Sequence, residues 1–224
     1  MCGRFTLFST FETIIERFHI EAAFDEADYQ VSYNIAPSQR IVAVINDGSK
    51  NRLGYLRWGL IPSWAKDEKI GYKLINARSE TLAEKPSFRK AYQNKRCLIV
   101  ADSYYEWKQT PERKIPMRIK LKSGEPFGLA GLWESWNSPE GQAVCTCTII
   151  TTSSNELMSS IHDRMPVILN PEDEQKWLNP KIHDSHLLKQ YLRPFNPELM
   201  EAFEVSADVN SPKNNSEHVI QRIC

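Results

Sequence analysis

What the chain lacks narrows it first. No apolar run approaches the ~20 residues of a membrane-spanning helix, and the opening residues do not follow the basic-then-apolar layout of a secretory signal. The expectation is a cytoplasmic protein, nucleoid-associated if bacterial, with no membrane partner. Neither sign of charge is in excess: Lys+Arg and Asp+Glu number 28 each. The molecule as a whole will not condense on polyanions, so any nucleic-acid site has to be a local patch of Arg and Lys. Cysteine is scarce and odd in number, five residues without a disulfide-framework spacing, which points to free thiols in a reducing compartment. Cys145 and Cys147 form a C-x-C on a predicted strand, yet no second Cys/His pair stands at metal-ligand spacing; the expectation is core packing and no metal. Also missing are a P-loop, a dinucleotide fingerprint, G-x-S-x-G and H-E-x-x-H. No cofactor or nucleotide is expected, and the chemistry has to come from side chains.

What is present reads as an α+β protein. At 224 residues the chain can bury one substantial core, and it shows no internal repeat, so residues 1–224 are expected to form a single domain. Ser9 and Glu12 make an S-x-x-E box ahead of Phe11, Ile14, Ile15 and Phe18, predicting a helix. IVAVIN and RLGYLRW flank Asp47-Gly48 and predict a hairpin. Further strands are predicted at 97–102, 117–121, 127–133, 144–150 and 166–169, with a turn at Gly124 and helices starting at Asn170-Pro171 and near Asp184. Many short strands with few crossover helices imply a curved, mainly antiparallel, barrel-like sheet with short flanking helices.

The chain opens MCGRF. Aminopeptidases remove an initiator methionine that precedes a small residue, which would leave Cys2 as the terminus with a thiol and an α-amine on one residue. With a pKa of about 7.7–8.0, roughly a third of an α-amine is neutral at about pH 7.5, against ~0.1% of a lysine. Both nucleophiles of such a 1,2-aminothiol can reach one aldehyde, first as an imine and then as a five-membered thiazolidine. The competing reading is a small residue packed near the start of the chain.

Three polar stretches sit beside predicted strand ends, where catalytic groups concentrate. In INARSET, Asn76, Arg78 and Glu80 alternate and would share one side of an extended segment. Asn76 offers donor and acceptor, Arg78 a fork suited to phosphate, although Arg78 and Glu80 could also pair with each other. In YYEWK, Glu106 lies between Tyr105 and Trp107, which could desolvate its carboxylate and raise its pKa; an exposed edge-strand Glu is the plainer reading. IHDRMP sets His162, the side chain best matched to proton transfer, beside Asp163 and an Arg164 that could hold a phosphate; a structural His is the plainer reading.

Taken together, MCGRF, YNIAPSQ, RWGLIPSW, INARSET, YYEWK and IHDRMP resemble the SRAP family, the SOS-response-associated peptidases or abasic-site-processing proteins, from Cys2 to the VNSPKNN stretch. The resemblance implies a self-processing protein, acting as a monomer, that finds abasic sites in single-stranded DNA and crosslinks to them through Cys2 once Met1 is removed. By motif, Asn76 positions the Cys2 terminus, Glu106 steers the ring-opened aldehyde and takes part in proton transfer, and His162 opens the sugar ring. Arg4, Arg78 and Arg164 resemble phosphate contacts. Asn34, Pro37, Ser38 and Trp64 resemble the rim over which bases stack. Some relatives carry a second tryptophan where this chain has Ala65, which implies a weaker wedge. The rival readings are a cysteine peptidase with a Cys2–His162 dyad, against which the three arginines weigh, and a noncatalytic single-strand binder, which leaves Cys2 and His162 without a role.

Overall fold

The computed structural model describes residues 2–223; the expectation that Met1 is removed falls on a residue outside them. Strands β1 (Phe5–Leu7), β2 (Ser32–Ile35), β3 (Arg40–Asn46) and β4 (Asn51–Trp58) are followed by β5 (Asn76–Arg78), β6 (Arg96–Ala101), β7 (Ser103–Gln109) and β8 (Lys114–Leu121). The remaining strands are β9 (Phe127–Asn137), β10 (Ala143–Ser153), β11 (Arg164–Pro166) and β12 (Met200–Glu204). The helices are short: α1 (Phe11–Arg17), α2 (Arg89–Asn94), α3 (Glu156–Ser159), α4 (Pro171–Leu178) and α5 (Ser185–Lys189). None among the described residues is long and apolar enough to cross a membrane.

One sheet runs β11-β10-β4-β3-β6-β9, and a β9–β10 pairing closes the path from β10 to β9 into a barrel. The other runs β12-β8-β7-β1-β2. Pairing is antiparallel except where β10 meets β4 and β5, so the expected antiparallel, barrel-like α+β architecture is what the chain adopts. The barrel interior is filled by small and aliphatic side chains that share one face of the paired strands, with Ala43, Cys97, Ile99, Leu129 and Ile149 buried there. Outside it, Arg96 is buried and donates to the carbonyls of Tyr92, Gln93, Trp177, Asn179 and Ile182. That one guanidinium satisfies carbonyls at the ends of α2 and α4, which a helix C-terminus otherwise leaves without partners.

Several local expectations shift. The cap of α1 is Thr10, whose side chain accepts from the Thr13 N–H, because Ser9 is engaged by Asp102. The hairpin forms as read, with Asn46 opposite Asn51. The strand expected at 166–169 pairs earlier, at Arg164–Pro166, after which Ile168 makes a single bridge to Leu129. Cys147 packs in the core, but Cys145 is exposed, since the β9–β10 hairpin continues beyond the packed interior.

Candidate active site

β1 brings the start of the chain to the site. Phe5 pairs with Tyr104 and Thr6 with Ser103, and the Tyr105 N–H donates to the Arg4 carbonyl at 2.9 Å. The antiparallel register therefore runs Cys2 back alongside Glu106. Cys2 is fully buried, and its carbonyl accepts from Asn76 Nδ2 at 2.8 Å. Asn76 comes from β5, which pairs in parallel with β10, Asn76 against Ile149 and Arg78 against Thr151.

Glu106 lies in the middle of β7, an interior strand of its sheet, and is 3% exposed, not an edge residue. Burial raises its pKa, and the charge of His162 opposes that rise. The aromatic neighbours named from the sequence do not cause this burial. Tyr105 and Trp107 belong to a separate apolar cluster with Val205 and Val209, as strand alternation requires. Glu106 shares its face with Tyr104 and lies near Cys2. Burial and the Glu106 charge both raise the Cys2 thiol pKa, while an N–H of Arg4 opposes them.

His162 sits in the turn between α3 and β11. Its Nδ1 is 3.0 Å from the Arg164 N–H and 2.8 Å from Asp163 Oδ1. One nitrogen cannot serve both. With a lone pair it accepts from Arg164, leaving the neutral ring's proton on Nε2; with a proton it donates to Asp163. The backbone N–H is the partner of the neutral ring, because Asp163 is 86% exposed and free to turn to water.

The arginines differ in availability. Arg4 Nη1 donates to Asn34 Oδ1 and to the Val209 carbonyl, both at 2.7 Å, and its guanidinium lies over Trp107. Arg164 holds Glu80 with both Nη atoms, at 2.5 and 3.0 Å, and also donates to the Thr151 carbonyl. Glu80 is thus the partner of Arg164 rather than of Arg78, because the chain leaves β5 after Arg78 into a 3-10 turn and the alternation ends. Arg78 is exposed and makes no ion pair among the described residues.

Asn34 is buried and its amide donates to the carbonyls of Val209, Ser211 and Asn214, so it fixes the 209–214 loop as a wall beside Arg4. Pro37 is half-buried; Ser38 is exposed with a φ of 75°, its N–H held by the Trp58 carbonyl. Trp64 is 58% exposed. No hydrogen bond joins these three to Cys2 or Asn76 among the described residues.

Buried polar atoms without partners among the described residues are found here. Arg4 Nε, Asn76 Oδ1, Tyr104 Oη and Arg164 Nε are all in this state. Buried polar atoms left unpaired are costly, so their concentration sets this region apart from the ordinary core. Tyr104 was not singled out from the sequence. Its position two residues before Glu106, on the same strand face, was the available signal. Among the described residues no group of three or more His, Cys, Asp or Glu side chains could hold a metal ion.

The comparisons with known proteins agree with one another. The family model "SOS response associated peptidase (SRAP)" matches residues 1–212. The abasic site processing protein YoqW of Bacillus subtilis is 64% identical over 222 residues, covering 99% of both chains. The abasic site processing protein HMCES of Xenopus tropicalis is 32% identical, over 86% of this chain and 66% of its own length. A crystal structure of a protein from Bacteroides thetaiotaomicron superposes with a TM-score of 0.90 at 30% identity, over the whole of both chains.

Proposed function

The chain belongs to the SOS-response-associated peptidase (SRAP) family, and from that premise we propose that it captures abasic sites in single-stranded DNA as a covalent thiazolidine on Cys2. The observation that carries this reading is the anchoring of Cys2 by Asn76 beside a buried Glu106. In the chain that carries Met1, the Cys2 nitrogen is an amide; hydrolysis of the Met1–Cys2 bond makes it an amine without disturbing the carbonyl that Asn76 holds.

An abasic sugar is mostly a closed hemiacetal. His162 and Glu106 move the protons that open it: one oxygen leaves as a hydroxyl and the aldehyde forms. The Cys2 amine adds to the aldehyde carbon and water departs, giving an imine. The thiol then closes the ring, sulfur bonding to the imine carbon while the thiol proton passes to nitrogen. Burial favours the protonated thiol until that step. A thiol held beside its target reacts with an effective molarity of up to about 10⁵–10⁸ M, so ring closure outpaces strand cleavage from the imine.

The phosphates flanking the lesion meet Arg4, Arg78 and Arg164, and exposed Trp64 with Pro37 and Ser38 offers a surface on which bases stack without sequence preference. The peptidase reading, with Cys2 and His162 as a dyad, requires a thiolate stabilised by imidazolium. The surroundings of Cys2 push its thiol the other way. Removal of its own Met1 is the one peptide cleavage the proposal contains.

The test is denaturing electrophoresis of the protein with an abasic single-stranded oligonucleotide, with intact mass recording the state of residue 1. The processed protein should give a heat-stable crosslink. A form with Cys2 preceded by a residue that aminopeptidases leave in place should give none, with or without borohydride. A heat-stable crosslink from the blocked form overturns the mechanism.

A further inference from the structure

Between β4 and β5 the chain makes a loop, residues 59–74, that is fastened at several points. The Gly59 N–H donates to the Cys147 carbonyl at 2.8 Å, Leu60 to Leu74 at 3.1 Å, and Ile61 to Thr146 Oγ1 at 2.9 Å. Trp136 Nε1 donates to the Ala65 carbonyl at 2.7 Å. At the neck, Gly59 and Gly71 pass so closely that a Cβ on either would lie 2.8 Å from the other's carbonyl oxygen, and Gly59 has a φ of 128°. Two glycines are what such a backbone crossing demands. The loop is therefore a fixed platform.

That platform carries a cleft lined by Trp64, Lys66, Asp67, Lys69, Ile70 and Lys73. Its cations are largely unspent. Lys66 and Lys73 make no ion pair among the described residues, and Lys69 Nζ is 3.9 Å from Asp67 in an exposed pair worth little. The other local carboxylate, Glu68, is taken by Arg57 at 2.6 Å. An exposed indole lining the same cleft as three lysines suits one ligand chemistry: a polyanion with stackable rings. The cleft also lies near the site: Lys73 is three residues before Asn76, at most ~10 Å along the chain.

We infer that this cleft binds the backbone of the single strand running toward the abasic position, with Lys66 and Lys73 each against a phosphate and Trp64 against a base. The inference rests on the abasic-site reading for its choice of polyanion. It assigns the lysines of the 59–74 loop to strand binding, in addition to the arginines around Cys2.

The test measures affinity for an undamaged single-stranded oligonucleotide by fluorescence anisotropy over a salt series, for wild type, Lys66→Ala/Lys73→Ala, and a charge-matched control, Lys181→Ala/Lys189→Ala, outside the cleft. At ~0.7 of log–log slope per phosphate on a single strand, the cleft variant should lose about 1.4 from the slope, so that wild type sheds about sevenfold more of its affinity between ~50 and ~200 mM salt. The control should keep the wild-type slope. A cleft variant with the wild-type slope overturns the inference, as does a control that loses as much. The slope is read on undamaged DNA, so it is decided whether or not the crosslink to an abasic strand forms; failure of the crosslink with a reduced slope would overturn the proposed function alone.

Discussion

Asn76 Nδ2 donates to the Cys2 carbonyl at 2.8 Å, across 74 residues of sequence. The bond reaches the peptide that follows Cys2, not the one that precedes it. On the proposed mechanism it would therefore survive loss of Met1 and hold the new terminus in place.

From this, Asn76→Ala should slow adduct formation about tenfold, the equivalent of one hydrogen bond at the upper end of its usual net worth. Asn76→Asp should do worse, because a carboxylate oxygen would face a carbonyl oxygen beside buried Glu106. Single-turnover crosslinking rates on an abasic oligonucleotide decide the matter. Two variants with wild-type rates would show that the bond does not position the terminus.

The two nucleophiles of Cys2 can be separated by Cys2→Ser, which keeps a small second residue and hence a free amine. This variant should still form an imine that borohydride traps, but no crosslink that survives heating without reduction. A durable unreduced crosslink from the serine variant would show that sulfur does not close the ring.

Strand periodicity made much of the site legible. Ala77 is buried between Asn76 and Arg78, and Glu106 shares its side of β7 with Tyr104, both as alternation requires. Partner choice was not legible. Ser9 had the pattern of a helix cap, but Asp102, 93 residues away, took it, and Thr10 became the cap. Glu80 had the spacing to pair with Arg78, but the turn after β5 delivered it to Arg164. Asn34 lies in a motif read as a stacking rim, yet its amide holds a loop 175 residues later. Each miss is a long-range polar contact, which local periodicity does not encode.

The buried carboxylate predicts an opposition between stability and activity. Burial raises the Glu106 pKa, so the folded state favours its protonated form. That contribution is fully present below the unfolded pKa, about 4.3 for a glutamate, and is lost as pH rises through the higher folded value. Glu106→Gln keeps the neutral shape at all pH. It should melt above wild type near neutral pH, with the difference shrinking as pH falls, while crosslinking slows by about 10²–10⁴-fold as expected for loss of an acid–base group. Thermal melts at about pH 4 and about pH 7.5 measure the first part. A variant less stable than wild type at the higher pH would show that the native site stabilises the ionised carboxylate.

The Glu80–Arg164 pair predicts a competition. Arg164 directs both Nη atoms to Glu80 and a further bond to Thr151, so a phosphate reaching it has to displace a carboxylate of matching geometry. Hydrogen bonding to Arg164 lowers the Glu80 pKa, so mild acid does not release the arginine. Glu80→Gln would, by replacing the anion with a neutral amide. Glu80 is half exposed, so the cost to the fold should be small. Affinity for single-stranded DNA should rise at low salt, and the salt dependence should steepen by ~0.7, one more phosphate neutralised. Adding Arg164→Ala to Glu80→Gln should abolish that gain. If Glu80→Gln binds with the wild-type slope, Arg164 serves to fasten the chain after β5 to β10 and β11, and the phosphates flanking the lesion are met by Arg4 and Arg78 without it.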